Sequence, residues 1–135
     1  MIAGTYVYRL TVKDNSGLTA TDDVSITVNS ATPVVPTTFP INVSTAVYDE
    51  GNAYYVGQNF GTAADDMNNP SISKLRVFEN GVELTLPHTS HADIQTLGRG
   101  RFSHWSDGSY VALYFSSSDN TNPTTNGRTY TYSIN

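Results

Sequence analysis

Residues 73–86 read SKLRVFENGVELTL, and this stretch decides the fold class. Leu75 and Val77 alternate with other residues before the pair Asn80-Gly81, and Val82, Leu84 and Leu86 alternate after it. A period of two is the mark of a half-buried strand. Asn-Gly suits a type I′ turn, whose twist matches the strands on either side. The segment is expected to be a β-hairpin with one apolar face.

Outward from this hairpin, every strong periodicity is again two. INVSTAVY (41–48) and AYYVGQNF (53–60) are expected strands, and RTYTYSIN (128–135) closes the chain with Tyr130, Tyr132 and Ile134 aligned. SYVALYFSS (109–117) is apolar on both faces, as a central strand would be. No stretch carries a helical period, although ADIQTL (92–97) has the length of one turn. Residues 41–135 are therefore expected to form an all-β module, an antiparallel β-sandwich of jelly-roll or immunoglobulin-like type.

A second hairpin opens the chain, over residues 1–29. In TYVYRLTVK (5–13), Tyr6, Tyr8, Leu10 and Val12 share one face; DNSG (14–17) turns the chain; in DDVSITVN (22–29), Val24, Ile26 and Val28 share a face. A lone hairpin is not stable in water. Its apolar face, Tyr6, Tyr8, Val24 and Ile26, is expected to be covered by residues 38–135 or by a second copy in a homodimer. SATPVVPTTFP (30–40) reads as a linker, in which Pro33, Pro36 and Pro40 stiffen the chain and keep it out of strand pairing.

Composition narrows the function classes. Charged residues are 14% of 135, there is no cysteine, and the net charge is −5. Disulfides and thiolate chemistry are excluded, and a polyanion such as nucleic acid would be repelled. No apolar run is long enough to span a membrane, so membrane insertion is not expected. The low-charge, hydroxyl-rich and tyrosine-rich balance is common in secreted bacterial β-modules. The first residues, MIAGTYVYRL, alternate like a strand rather than reading as a leader peptide. An export signal is accordingly expected upstream, with this chain an excised piece.

Gly4, Tyr6, Leu10, Val12 and Asp14, then Gly17, Thr21, Val24, Ile26 and Val28, carry a resemblance. Together they resemble the last two strands of a PKD domain, an immunoglobulin-like β-sandwich. The front of such a domain, with its W-D-F-G-D-G motif, has no counterpart here, so the resemblance implies a truncated PKD-like unit. PKD-like units occur in extracellular bacterial proteins as spacers beside glycoside hydrolases, proteases and carbohydrate-binding modules. The resemblance thus implies an extracellular or cell-surface multidomain parent. Residues 38–135 are loosely similar to β-sandwich carbohydrate-binding modules in architecture and composition, an analogy at fold level.

The scarce side chains gather in HADIQTLGRGRFSHW (91–105), which with His88 holds all three histidines and the single tryptophan. His88, His91 and Asp93 give H-x-x-H-x-D, a spacing able to chelate zinc; the competing reading has these histidines bonded to loop backbone. Ser103, His104 and Asp107 make a poor catalytic set, because adjacent residues on a strand face opposite ways. No two carboxylates are marked as a glycosidase pair, and no enzyme activity is expected. Ligand reading uses more of the cluster. Trp105 would stack on a sugar, with His104, Arg101, Arg99 and Asp107 at its rim, and Asp119, Asn120, Asn126 and Arg128 supplied by SSSDNTNPTTNGR (116–128). An arginine pair would suit a uronic acid or sulfated glycan. Tyr54 and Tyr55 must face opposite ways, and Tyr55 is taken as the surface aromatic. Asp49, Asp65 and Asp66 flank turns of the kind that hold structural calcium.

The function expected is a non-catalytic carbohydrate-binding module with a polysaccharide partner. The rival is a structural or adhesive module in which Trp105 is core and the polar cluster is an internal network.

Overall fold

A computed structural model describes residues 2–29 and 36–134, in two compact units that divide at Val35/Pro36. Residues 30–35 of the expected linker, Pro33 among them, lie outside the described residues.

In the first unit, β1 (Gly4–Lys13) pairs antiparallel with β2 (Thr19–Val28). The register sets Tyr6 opposite Ile26 and Tyr8 opposite Val24, so the apolar side chains of both strands fall on one face. Arg9 meets Asp23 on the other face, with its guanidinium on both carboxylate oxygens at 2.7 Å. The turn is held by Asp14, whose Oδ1 accepts from the N–H groups of Ser16 and Leu18. Within the hairpin Leu10, Val12 and Val24 remain more than half exposed.

The second unit is a sandwich of two four-stranded sheets. One has the order β3 (Phe39–Pro40), β10 (Tyr130–Ile134), β6 (Leu75–Glu79), β7 (Val82–Glu83). The other runs β4 (Val47–Tyr48), β5 (Tyr54–Val56), β9 (Val111–Phe115), β8 (Phe102–Ser106). Every named pairing is antiparallel. Leu75, Val77 and Tyr130 from one sheet and Val56, Phe102, Leu113 and Phe115 from the other fill the space between them, with Phe60 and Leu84 added from connecting segments. The strand that is apolar on both faces, β9, lies inside its sheet between β5 and β8.

The hairpin at 73–86 turns on Asn80 (φ 50°) and Gly81 (φ 78°), both left-handed as a type I′ turn requires. Its second arm is shorter than expected. The Leu84 N–H still donates to the Val77 carbonyl of β6, and beyond it the chain leaves this sheet, with Leu86 bridging to Arg101 beside the other one.

Two expectations are corrected. Phe39–Pro40, assigned to the linker, forms the edge strand β3 opposite Thr131 and Tyr132. Pro40 is tolerated because an edge strand leaves one side unpaired. Residues 41–48 are not one strand: Val43–Thr45 is a 3-10 turn, and only Val47–Tyr48 is extended. Asn42 is the cause. Its carbonyl accepts from the Thr45 N–H and hydroxyl, and its Oδ1 accepts from the Ser44 hydroxyl, a local alternative to sheet bonding. Among the described residues no helix is long and apolar enough to cross a membrane.

Candidate functional site

Strand β8 organises the site. Its register places Ser103 opposite Tyr114 and Trp105 opposite Ala112 in β9, while Tyr55 of β5 lies opposite Tyr114. Ser103, Trp105, Tyr114 and Tyr55 therefore share the outer face of this sheet, turned away from the core. Phe102, His104, Leu113 and Phe115 share the inner one.

A short helix, α1 (His91–Thr96), lies against this sheet, in contact with β8 and β9. Ser90 caps it by accepting the Asp93 N–H, and Ile94 anchors it with no exposed surface. The cap sets His91 on Tyr114, stacked with ring centroids 3.9 Å apart, and edge-on to Trp105 at 5.9 Å. Burial holds the His91 imidazole below the ordinary histidine range, with Asp49 acting weakly in the other direction. Its Nε2 is buried without a hydrogen-bond partner.

Two hollows meet at His91 and Trp105. The larger, about 410 Å³, is bounded also by Pro70, His88, Thr89, Ser90 and Ser103. The smaller, about 220 Å³, is bounded by Asp107, Tyr110 and Tyr114. Trp105, half-buried, is a wall of both. Tyr110 completes the aromatic surface, edge-on to Tyr55 at 6.5 Å. Asp107 accepts the backbone N–H groups of Ser109 and Tyr110 at 2.8 Å each, and these bonds hold its carboxyl below the usual range.

Behind the larger hollow lies Asp65, 1% exposed. Its backbone pairs with the free edge of β8, donating to the His104 carbonyl and accepting from Ser106. That pairing aims the carboxylate inward, where Oδ1 accepts the Ser73 N–H at 2.8 Å and Oδ2 meets His88 Nδ1 at 2.7 Å. His88 has a left-handed backbone, φ 54°. Neither His88 nor Asp65 carries its role in the sequence pattern: the contact spans 23 positions.

The expected rim of Trp105 divides into three places. His104 points to the core. It is 2% exposed, its Nδ1 bonds Ser73 Oγ at 2.9 Å, its ring meets Phe60 edge-on, and burial lowers its pKa. Asp107 stays beside Trp105, whereas Tyr55 lies on the same sheet face but across β9, against Tyr110 and Tyr114. The remaining residues gather elsewhere. Arg128 pairs with Asp119 and with Glu79, and Glu79 also accepts the Tyr130 hydroxyl at 2.7 Å. Asn126 bonds Tyr130 Oη and accepts the Arg128 N–H. Arg99 and Arg128 line a separate hollow with Glu79 and Ser118. Asn120 packs on Gly98, where a Cβ would meet its Oδ1 at 2.2 Å, and accepts the Arg99 N–H. Arg101 bonds the Gly98 carbonyl. The physical reason is that these groups find other partners: Asp119 and Asn126 bond residues of their own loop and Arg128, and Asn120 bonds the Arg99 N–H and the Leu97 carbonyl ahead of β8.

His88 Nδ1 is taken by Asp65, His91 stacks on Tyr114 at the wall of the same hollow, and His104 bonds Ser73 in the core. Asp49 accepts from Gln95, and Asp66 accepts from the Asn68 and Asn69 N–H groups, apart from Asp65. Among the described residues no three His, Cys, Asp or Glu side chains come together to hold an ion.

No curated protein and no solved structure matches the chain. The family model for the K319L-like PKD domain matches residues 1–28, so the opening hairpin is a PKD-like segment, and β-sandwiches of that kind are typically non-catalytic.

Proposed function

We propose that residues 36–134 are a non-catalytic carbohydrate-binding module of an extracellular bacterial multidomain protein, and that it takes a polysaccharide in the groove along Trp105. One observation carries the reading: a half-buried indole on an outer sheet face, forming the shared wall of two adjoining hollows. A pyranose presents an apolar C–H face and a rim of hydroxyls. Trp105 and Tyr110 offer the matching apolar surface, and His88, Ser103 and Asp107 offer polar groups around it. Against catalysis, the Asp107 carboxylate is already held by two backbone donors, and Ser103 and His104 face opposite sides of β8.

Titration against a polysaccharide panel, followed by tryptophan fluorescence, tests the reading. Binding should quench or shift the emission, and Trp105→Ala should weaken binding at least thirtyfold, about 2 kcal/mol, while leaving the fold intact by circular dichroism. Unfolding of Trp105→Ala would make the indole a structural element and defeat the proposal. A structural or adhesive role is favoured by a different observation, the apolar side chains exposed on the PKD-like hairpin. Such a module would self-associate without binding any glycan.

A further inference from the structure

We infer that the sugar taken by this groove is uncharged and that His88 is the side chain that orients it; the inference rests on the glycan reading and narrows it. The larger hollow has neither lysine nor arginine in its wall. The arginines suited to an acidic sugar are committed elsewhere: Arg128 to Asp119 and Glu79, and Arg101 to the Gly98 carbonyl. Arg99 borders a different hollow, beside Glu79 and Glu83. The His88–Asp65 pair sums to zero charge when both are ionised and to −1 when the imidazole is neutral. A uronate or sulfate ester would therefore meet no net positive charge, whereas a hydroxyl loses nothing there.

The orientation of His88 follows from its partner. Asp65 is buried, with its second oxygen tied to the Ser73 N–H, so it cannot swing away to solvent. Holding Nδ1 against it fixes the ring and leaves Nε2 at the opposite edge, on a side chain still 29% exposed at the wall of the hollow. Nε2 accepts a hydrogen bond when the ring is neutral and donates when it is protonated. A sugar hydroxyl satisfies either state. Ser103, on the same wall, adds a second hydroxyl-compatible group.

The test compares the full chain with His88→Asn and His88→Gln on neutral polysaccharides (β-glucan, xylan, mannan) and anionic ones (polygalacturonate, alginate, heparin), by affinity electrophoresis and calorimetry. Asparagine suits the left-handed backbone and retains an N–H for Asp65, but places nothing where Nε2 stands. Glutamine reaches that outer position. Wild type should bind a neutral polysaccharide and no anionic one more tightly; His88→Asn should weaken binding about tenfold with an unchanged melting temperature, and His88→Gln should recover most of the loss. Preference for the anionic panel overturns this inference and leaves the glycan reading standing. Equal binding by His88→Asn, or equal weakness of both variants, overturns the role of His88. Binding to neither panel removes the glycan reading and this inference with it.

Discussion

The groove at Trp105 and the network at Arg128 are built from the same kinds of residue and end in opposite states. In the network every strong polar group is answered by protein: Glu79 takes Arg128, the Tyr130 hydroxyl and the Ser118 N–H, Asp119 takes Arg128 and Thr121, and Asn126 uses both ends of its amide. Its aromatic member, Tyr130, is 2% exposed. At the groove the bonding stops short. His88 is tied at Nδ1 alone, His91 Nε2 has no partner, and the indole is half-buried. Saturated polar clusters stabilise a fold, and partly unsatisfied ones beside an aromatic wall are where a ligand can add bonds. Residue type does not separate the two. Partner count does.

The largest expected effect breaks the network side of this contrast. Glu79→Ala removes the acceptor of the buried Tyr130 O–H, the charge partner of Arg128 at one of its three Nη1 contacts, and an acceptor of the Ser118 N–H. It should cost about 3 kcal/mol in urea unfolding and leave groove binding unchanged below the lowered melting temperature.

A smaller effect concerns acidity. Burial holds His91 and His104 below the usual histidine value of 6.5. The unfolded chain therefore takes up protons on these rings before the folded chain does. Their contribution is complete above about pH 6.5 and is lost as pH falls from there toward the folded values. Melting temperature measured from pH 8 to pH 5 should decline over the lower part of that range. His91→Phe, which keeps a ring on Tyr114 and removes the unpartnered nitrogen, should flatten part of the decline. A flat profile in the wild type would show that neither ring is held neutral. The smallest effect sharpens the contrast from outside both clusters. Arg99→Ala should change stability by less than about 0.5 kcal/mol and leave polysaccharide affinity untouched, since Arg99 borders neither half of the groove.

Much of the fold was legible because strand patterning is local. The turn at Asn80-Gly81, the central position of β9 and the aligned Tyr130, Tyr132 and Ile134 each follow from residues within a few positions of one another. The candidate site was legible only as an address. Sequence proximity put Trp105 with His104, but a strand sends neighbours to opposite faces, and His104 went to the core. It grouped Arg101 and Arg128 with the indole, and the loop turned them elsewhere. It passed over His88 as a reader because its partner Asp65 is 23 positions away. The 3-10 turn at Val43–Thr45 was missed because Asn42 offers its backbone a local hydrogen bond that apolar patterning does not register.

The sequence by itself determined that this chain is all-β, that it opens with a PKD-like hairpin, and that no thiol chemistry is available to it. Those properties depend on composition and on spacings of one or two residues. Tertiary structure alone decided which aromatic ring faces outward, which carboxylates are already occupied and which imidazole stands over a buried aspartate. Such outcomes depend on how sheet register brings distant positions together, and register is set by the packing of the whole sandwich rather than by any one of its strands.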